Sequence, residues 1–494
     1  MPRKKRQSTP NPSQSKAPSN PTHSDAPVPV PSNNVPTPSK LGPSDSPITR
    51  LLSFLSSLGL SEAYILFVVL AIAWCIRAAV GLWPYSGENT PPLYGDFEAQ
   101  RHWMELTLHV PINQWYFHDL KWWGLDYPPL TAYISWVCGV VGSWINPAWF
   151  ALYDSRGLEG PELKLFMRTS VILLEFMIYV PAVIGFVRRC SKKRDVNTNA
   201  NILLLLLQPS LLIIDHGHFQ YNTVMLGLTL WAINFIHDGR FIAGSIAFCL
   251  SLAFKQMALY YAPVIFFFLL GKCFSLSPSA GLRLFSQLGL TVLATFGVVF
   301  SPFLRPDQLA QAIHRIFPVA RGLYEDKVAN LWCAANVIIK IRDLLSQEAC
   351  MKLSLAATLL AISPSCFDIF RRPNFERLPM ALSGSALAFF LFSFQVHEKS
   401  ILLPLLPALL MSVVTKNDDK WAGIDRDIIA WYNNLAMFSM YPLLQREQLI
   451  IPYAALLSVW VWAGKNYPRH SPPWTRGALW VSHSILLKEV SMQC

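Results

Sequence analysis

Charge is scarce in this chain. Asp, Glu, Lys and Arg make up only 14% of its 494 residues, against the ~25% usual in a soluble domain. In their place stand uncharged runs of about 15–23 residues, and roughly 20 apolar residues suffice to cross a bilayer. A soluble core does not need so many such runs in series, and they are too continuous for the two-residue alternation of a membrane barrel. The chain reads as an all-α polytopic membrane protein with about a dozen transmembrane helices. None of the nine cysteines forms a CxxC pair, and Cys75, Cys138 and Cys249 fall inside apolar runs. They read as small core hydrophobes, not as a disulfide framework or a zinc site. Also missing are a Walker loop, a GxSxG elbow, an HExxH helix and a dinucleotide fingerprint, which disfavours the common hydrolase and nucleotide-binding classes.

The formal net charge of +11 suggests nucleic acid at first sight. Its location argues against that partner. The basic residues sit in the N-terminal tail (Arg3, Lys4, Lys5, Arg6, Lys16, Lys40) and at span ends such as Arg188-Arg189 with Lys192-Lys193-Arg194. Basic juxtamembrane clusters mark cytoplasmic faces or contacts with anionic lipid.

Residues 1–47 are rich in Pro, Ser, Asn and Thr, so they are expected to be a disordered cytoplasmic tail that cannot bury enough surface to order itself. No basic-then-apolar leader is visible, and the first apolar run is expected to serve as an uncleaved anchor. Residues 51–60 suit a short interfacial helix. Residues 48–464 form the multispan domain, with spans expected near 63–83, 130–149 and 165–187. Two large loops interrupt it, at 84–127 and 305–330, and 465–494 is a segment of mixed character. With a cytoplasmic tail the first loop lies on the opposite side. Counting spans then puts Arg188–Arg194 on that far side too, against the positive-inside tendency.

The first loop is dense in polar and aromatic residues. Gly95-Asp96 followed by Phe97-Glu98-Ala99-Gln100-Arg101-His102-Trp103 reads as a helix start with Asp96 as N-cap, as a base at the bilayer surface, or as both. Phe97, Met104 and Leu108 share one face, so this helix is expected to lie flat on the membrane. Asp126-Tyr127-Pro128-Pro129 suits the start of the next span, with Asp126 as its cap. Asp215-His216-Gly217-His218-Phe219-Gln220-Tyr221-Asn222 is a polar break between apolar runs; its histidines, two apart, cannot share a helix face as metal ligands. Glu175 and Lys255 fall inside apolar runs, where a charge pairs or lines a cavity, or, for Lys255, snorkels to an interface. Val396-His397-Glu398-Lys399 is either a polar turn or an anion site, and Arg321 and Lys327 are further cations of that kind.

Carboxylates, aromatic rings and cations at a membrane face, with no paired-Asp DxD in the first loop, disfavour metal-plus-nucleotide-sugar transfer and point to transfer from a lipid-bound phosphate. A phosphodiester is already a good leaving group, so cations suffice on its side. One carboxylate then deprotonates the incoming hydroxyl, whereas glycosidases need two carboxylates.

At these residues the sequence resembles the eukaryotic endoplasmic-reticulum (ER) glucosyltransferases that use dolichyl phosphate glucose to extend the lipid-linked oligosaccharide for N-glycosylation. It is most similar to the branch that adds the first glucose, α-1,3, to the nine-mannose precursor; the second-glucose branch shares the first-loop Asp, the Asp126–Pro129 element and the His397–Lys399 core. Matching stretches are Gly95–Trp103, Trp123–Tyr133, Lys164–Arg168, Asp215–Asn222, Lys255–Met257, Arg321–Asn330 and Phe394–Ser400. The resemblance implies a GT-C-type fold with a lumenal active site in the ER membrane and inversion at the anomeric carbon. It implies Asp96 as general base, His397 at the donor phosphate, and no metal or other cofactor. Implied partners are dolichyl phosphate glucose, the dolichyl-diphosphate-linked oligosaccharide and ER membrane lipids. Lys399 and Arg321 join His397 as donor-phosphate candidates; Glu98, Arg101, Asp126, Tyr127 and Glu398 are weaker supporting candidates. The chain departs from the family pattern in its long N-terminal tail and after about Trp462, where relatives continue with further spans. A lipid-linked sugar transporter or flippase is the alternative from another class, but the inverted repeats it would need are not visible.

Overall fold

The computed structural model describes residues 46–191, 195–317, 328–394, 396–414 and 426–464. The expected tail and C-terminal segment lie outside them, apart from residues 46 and 47. The described residues form α-helices and short helical turns, without strands. The first helices are α1 (Pro47–Ser57), α2 (Glu62–Gly81), α3 (Asp96–His109), α4 (Pro129–Ile145), α5 (Pro161–Cys190), α6 (Val196–Leu206) and α7 (Pro209–Leu212). The middle of the bundle holds α8 (Asn222–His237), α9 (Phe241–Phe254), α10 (Ala262–Phe274), α11 (Pro278–Val299) and α12 (Pro306–Ile316). Then follow α13 (Leu331–Ile339), α14 (Ile341–Leu344), α15 (Gln347–Arg371), α16 (Leu378–Phe392), α17 (Leu402–Val414), α18 (Arg426–Ser439), α19 (Tyr441–Arg446) and α20 (Ile450–Gly464).

Local chemistry sets these boundaries. Ser61, Asp195, Asn330 and Ser346 cap α2, α6, α13 and α15 with their side chains, and proline opens α4, α5, α11 and α12, where its missing N–H costs nothing. Among the described residues, six helices are long and apolar enough to cross a membrane, or seven if the pair Val196–Leu206 and Pro209–Phe219, bent by 47°, is one span. Several apolar runs of the sequence are shorter helices, such as α9 and α4. The bundle turns large apolar side chains outward, among them Phe67, Met177, Leu293 and Leu360. That is the pattern of a surface solvated by lipid.

Contacts at helix ends sort the bundle into two faces. At one face Lys164, near the start of α5, pairs with Glu88 just past α2 (3.2 Å), and the Asn89 N–H donates to Glu159 (2.8 Å). At the other, Asn199 near the start of α6 donates to Glu62 at the start of α2 (2.7 Å), and Arg189 at the end of α5 pairs with Asp238 after α8 (2.9 Å). Thus α5 returns the chain to the face where α2 began. The expected second span, 130–149, is a correction: α4 packs along α3, and the segment after it comes back to the first-loop face. A 17-residue helix packed along another helix of the first loop has no need to cross. This removes the conflict over Arg188–Arg189, which end on the same face as the start of α2.

The first loop therefore extends to residue 160, and the second is not a bare loop. α12 fills its first half and buries Gln308, Ala312 and Ile316. With Trp103, Trp115, Tyr116, Leu125 and Phe303, Ala312 and Ile316 form a second apolar core, distinct from that of the bundle. The Arg315 guanidinium donates to the Gly124 carbonyl (2.8 Å) and Gln311 to that of Tyr116 (3.0 Å).

Candidate active site

Asp96 is the first residue of α3 rather than its cap. Gly95 holds the cap position, with no side-chain hydrogen bond. The helix does not lie flat on a surface either: Phe97 through Thr107 are all buried, with Phe97 stacked on Tyr85 at 3.9 Å between ring centroids and packed on Phe219. Behind Asp96 the backbone touches itself. A Cβ on Gly87, whose φ is +86°, would lie 1.8 Å from the Gly95 nitrogen, and one on Gly95 would lie 2.5 Å from the Ser86 carbonyl. Only glycines permit that approach, and it sets the position from which the carboxylate projects.

The Asp96 carboxylate meets groups from two distant parts of the chain. The polar break of the sequence forms a π-helical turn, Ile213–Phe219, of the kind that recurs at functional sites. From it, His218 Nε2 stands 2.8 Å from Asp96 Oδ2. Gln220 donates to the same oxygen, and so does the Lys399 ammonium, from the turn Glu398–Ile401 that opens α17. Lys399 Nζ is also 3.1 Å from His218 Nε2. On its other side His218 Nδ1 lies 2.7 Å from both carboxylate oxygens of Glu447. All these contacts fall on Oδ2, and the Asp96 side chain keeps 24% of its surface exposed. One oxygen is anchored while the residue still faces open space. Burial alone would raise the Asp96 carboxyl, but the Lys399 charge and the His218 contact outweigh it and hold the group well below the usual carboxylate range. Burial would lower Lys399, and the Asp96 charge reverses that, so its ammonium is held above its ordinary range.

A second polar layer supports the first. Lys255 neither snorkels nor stands alone: it is buried at the end of α9 and donates to Gln220 Oε1 (3.2 Å) and Asn222 Oδ1 (2.7 Å), with the Tyr127 ring 4.9 Å away. Asn222 and the Thr223 N–H in turn satisfy Asp215 (2.8 and 2.7 Å). Glu175 is paired with Arg77 (2.6 Å) and His216 (2.7 Å). The two histidines of the break thus point at different carboxylates.

The remaining sequence candidates lie around this centre in different ways. His397 precedes Lys399 by two residues and is exposed, while Glu398 is buried, with the Arg446 guanidinium 3.7 Å away. Asp126 does not cap α4, whose cap is Pro128 with no side-chain hydrogen bond. Tyr127 packs on Trp103 at 4.8 Å and accepts from the Tyr116 hydroxyl at its carbonyl. Arg321 lies outside the described residues, as does Lys327.

Glu98 and Arg101 have charges engaged inside the loop. Arg101 is fully buried; its guanidinium donates to Glu98 (2.7 Å), Glu105 (2.6 Å), Ser155 (2.6 Å) and the Trp149 carbonyl (3.2 Å). Burial would raise Glu105, but the His102 hydrogen bond and Arg101 bring it down to about 2. This network ties α3 to the segment after α4. Arg101→Met is therefore expected to destabilise the loop by about 3–5 kcal/mol, because it leaves two buried carboxylates without their cation. A thermal melt of the purified protein checks this, and an unchanged Tm would assign the loop's cohesion to its apolar core instead.

Gln220 and His218 as partners of Asp96, Glu447 as partner of His218, and Arg77 as partner of Glu175, were not legible in the sequence. Beside the site, a cavity of about 910 Å³ opens among α13, α16, α18 and α19, lined by Val328, Cys333, Leu387, Leu391, Ile401 and Tyr432 among others. Its wall at Ile401 is two residues from Lys399.

The sequence matches the family model described as "ALG6, ALG8 glycosyltransferase family" over residues 70–489, a range that contains every group meeting at Asp96 and runs past Trp462. Among curated proteins it is 49% identical over 395 residues to the probable dolichyl pyrophosphate Man9GlcNAc2 alpha-1,3-glucosyltransferase of Schizosaccharomyces pombe, covering 78% of this chain and 76% of that protein. It is 45% identical over 422 residues to the dolichyl pyrophosphate Man9GlcNAc2 alpha-1,3-glucosyltransferase of Saccharomyces cerevisiae (83% and 76%), and 45% identical over 396 residues to that of Gallus gallus (78% and 76%). A membrane bundle that presents one carboxylate among cations, and a match over most of its length, lead to one assignment: the chain belongs to the ALG6, ALG8 glycosyltransferase family.

Proposed function

We propose that this protein transfers glucose from dolichyl phosphate glucose to the Man9GlcNAc2 lipid-linked oligosaccharide in an α-1,3 linkage, at the lumenal face of the ER membrane. The observation that carries the mechanism is the convergence of Lys399, His218 and Gln220 on one oxygen of a partly exposed Asp96. A carboxylate so held is oriented to take a proton at its other oxygen. The acceptor hydroxyl attacks the anomeric carbon and gives its proton to Asp96. The bond from that carbon to the phosphate oxygen breaks, and its electron pair leaves with dolichyl phosphate. A single displacement inverts the anomeric carbon, and no second carboxylate is needed.

Lys399 serves both halves of this step. Its ammonium lies on Asp96 and weakens that carboxylate as a base. An arriving donor phosphate competes for the same cation, so the base becomes effective once the leaving group is in place. His397, on the exposed side of the same turn, is the second donor-phosphate group, with Arg321 as a third. The apolar cavity beside Ile401 suits the first isoprene units of the donor. Glu98 and Arg101 act by holding α3, and Tyr127 by packing beside Lys255.

The test is transfer by the purified full-length protein. Supplied with dolichyl phosphate glucose and dolichyl-diphosphate-linked Man9GlcNAc2, it is expected to yield a product one hexose heavier, from which an α-glucosidase releases glucose. Movement of lipid-linked sugar across a vesicle bilayer without any transfer would instead favour the transporter reading.

A further inference from the structure

His218 is buried between two carboxylates, with Nε2 2.8 Å from Asp96 and Nδ1 2.7 Å from Glu447. A neutral imidazole has one N–H and one lone pair, so it can donate to only one of them; the other contact would set lone pair against lone pair. Ionised carboxylates at both nitrogens favour the doubly protonated ring, with the Lys399 ammonium, 3.1 Å from Nε2, donating to the Asp96 oxygen it shares with His218 and not to the ring. Glu447 belongs to the short turn between α19 and α20, where Gln448 takes a left-handed conformation (φ 58°). That turn packs Leu449 against Gly217 and brings the Glu447 carboxylate back to the π-helical turn.

We propose that Glu447 is a positioning residue that keeps His218 as an imidazolium, so that His218 and Lys399 together hold the negative charge as it passes from Asp96 to the departing phosphate. The inference rests on the glycosyl-transfer reading above. Before transfer, negative charge sits on Asp96, on Glu447 and on the phosphodiester. Afterwards Asp96 is neutral and the phosphate carries one more charge, with the total unchanged. A cation that touches Asp96 and stands beside Lys399 stabilises both ends of that shift, and it keeps its own charge only while Glu447 faces its far nitrogen. Other charged groups around Glu447 are Arg168 from α5, Lys399 and Asp96, with the Glu398–Arg446 contact next to them. The substitution considered below leaves all of them in place.

The experiment is the pH profile of kcat/KM for the full-length protein and for Glu447→Gln. The amide preserves shape but not charge. Its profile is expected to lose the alkaline limb downward by about one to three pH units, as the imidazolium gives up its proton sooner. Its acid limb should stay near its wild-type position, because His218 is protonated across that range in either protein and Lys399, which holds Asp96 ionised, is untouched. A structural role alone would lower the rate at every pH and leave both limbs where they are; that result overturns the proposal. Should Glu447→Gln fail to fold, His218→Gln carries the same test: the alkaline limb is expected to lose its His218 component and move to higher pH, and a limb left in its original place overturns the proposal. A wild-type protein without transfer activity would remove the underlying reading and this inference with it, whereas normal transfer with unmoved limbs removes the inference alone.

Discussion

Asp96→Asn is expected to lower kcat by about 10²–10⁴-fold, the usual contribution of one positioned general base, with little change in the KM for either lipid. The amide has nearly the volume of the carboxylate, and α3 does not depend on Asp96 for its cap, so the helix should survive. What disappears is the group that takes the hydroxyl proton. Asp96→Glu makes an informative companion. It restores the base but moves it by about a bond length, a displacement that can itself cost about 10²-fold in rate. A well-folded Asn variant that keeps normal turnover would exclude Asp96 as the base and shift the search to Glu447 or Asp126.

Lys399→Met should produce the second large loss, about 10²–10³-fold in kcat, because the leaving phosphate loses the cation that meets its developing charge. A rise in donor KM should accompany it. The pH dependence gives a sharper signature. Lys399 is the largest influence holding the Asp96 carboxyl below its ordinary range, so in the wild type the base stays ionised far into acid. Removing the ammonium lets the carboxyl rise, and the acid limb of kcat/KM moves toward neutral pH. Kinetics across pH 4–8 with saturating donor would display the shift. A Met variant that loses rate without moving its acid limb would mean that Lys399 serves the phosphate alone.

The membrane character, the polar density of the first loop and the candidacy of Asp96 and Lys399, which the structure brings together, could be read in the sequence because each leaves a local mark: an apolar run, a Gly-Asp step, a cation between two spans. Other features leave none. Glu447 lies 229 residues from the His218 it faces, in a connector that looks like any polar turn. Arg77 sits one turn from the end of an apolar helix, and only its contact with Glu175 shows that it points inward. α4 misled for a related reason: seventeen mostly apolar residues look the same whether they face lipid or the buried side of α3. Asp96 and Asp126 were both plausible caps by spacing, yet the chain gives those positions to Gly95 and Pro128, since nearby groups in space decide where each side chain turns.

The groups gathered at Asp96 are delivered by the start of α3, the π-helical turn before α8, the start of α17 and the turn after α19. None of these neighbours another along the chain. A harsh detergent that lets the bundle splay by an ångström would part the donors from their carboxylate while hardly disturbing any single helix. Turnover should therefore vanish during solubilisation well before the far-ultraviolet circular dichroism changes, and lipid added back early enough should recover it.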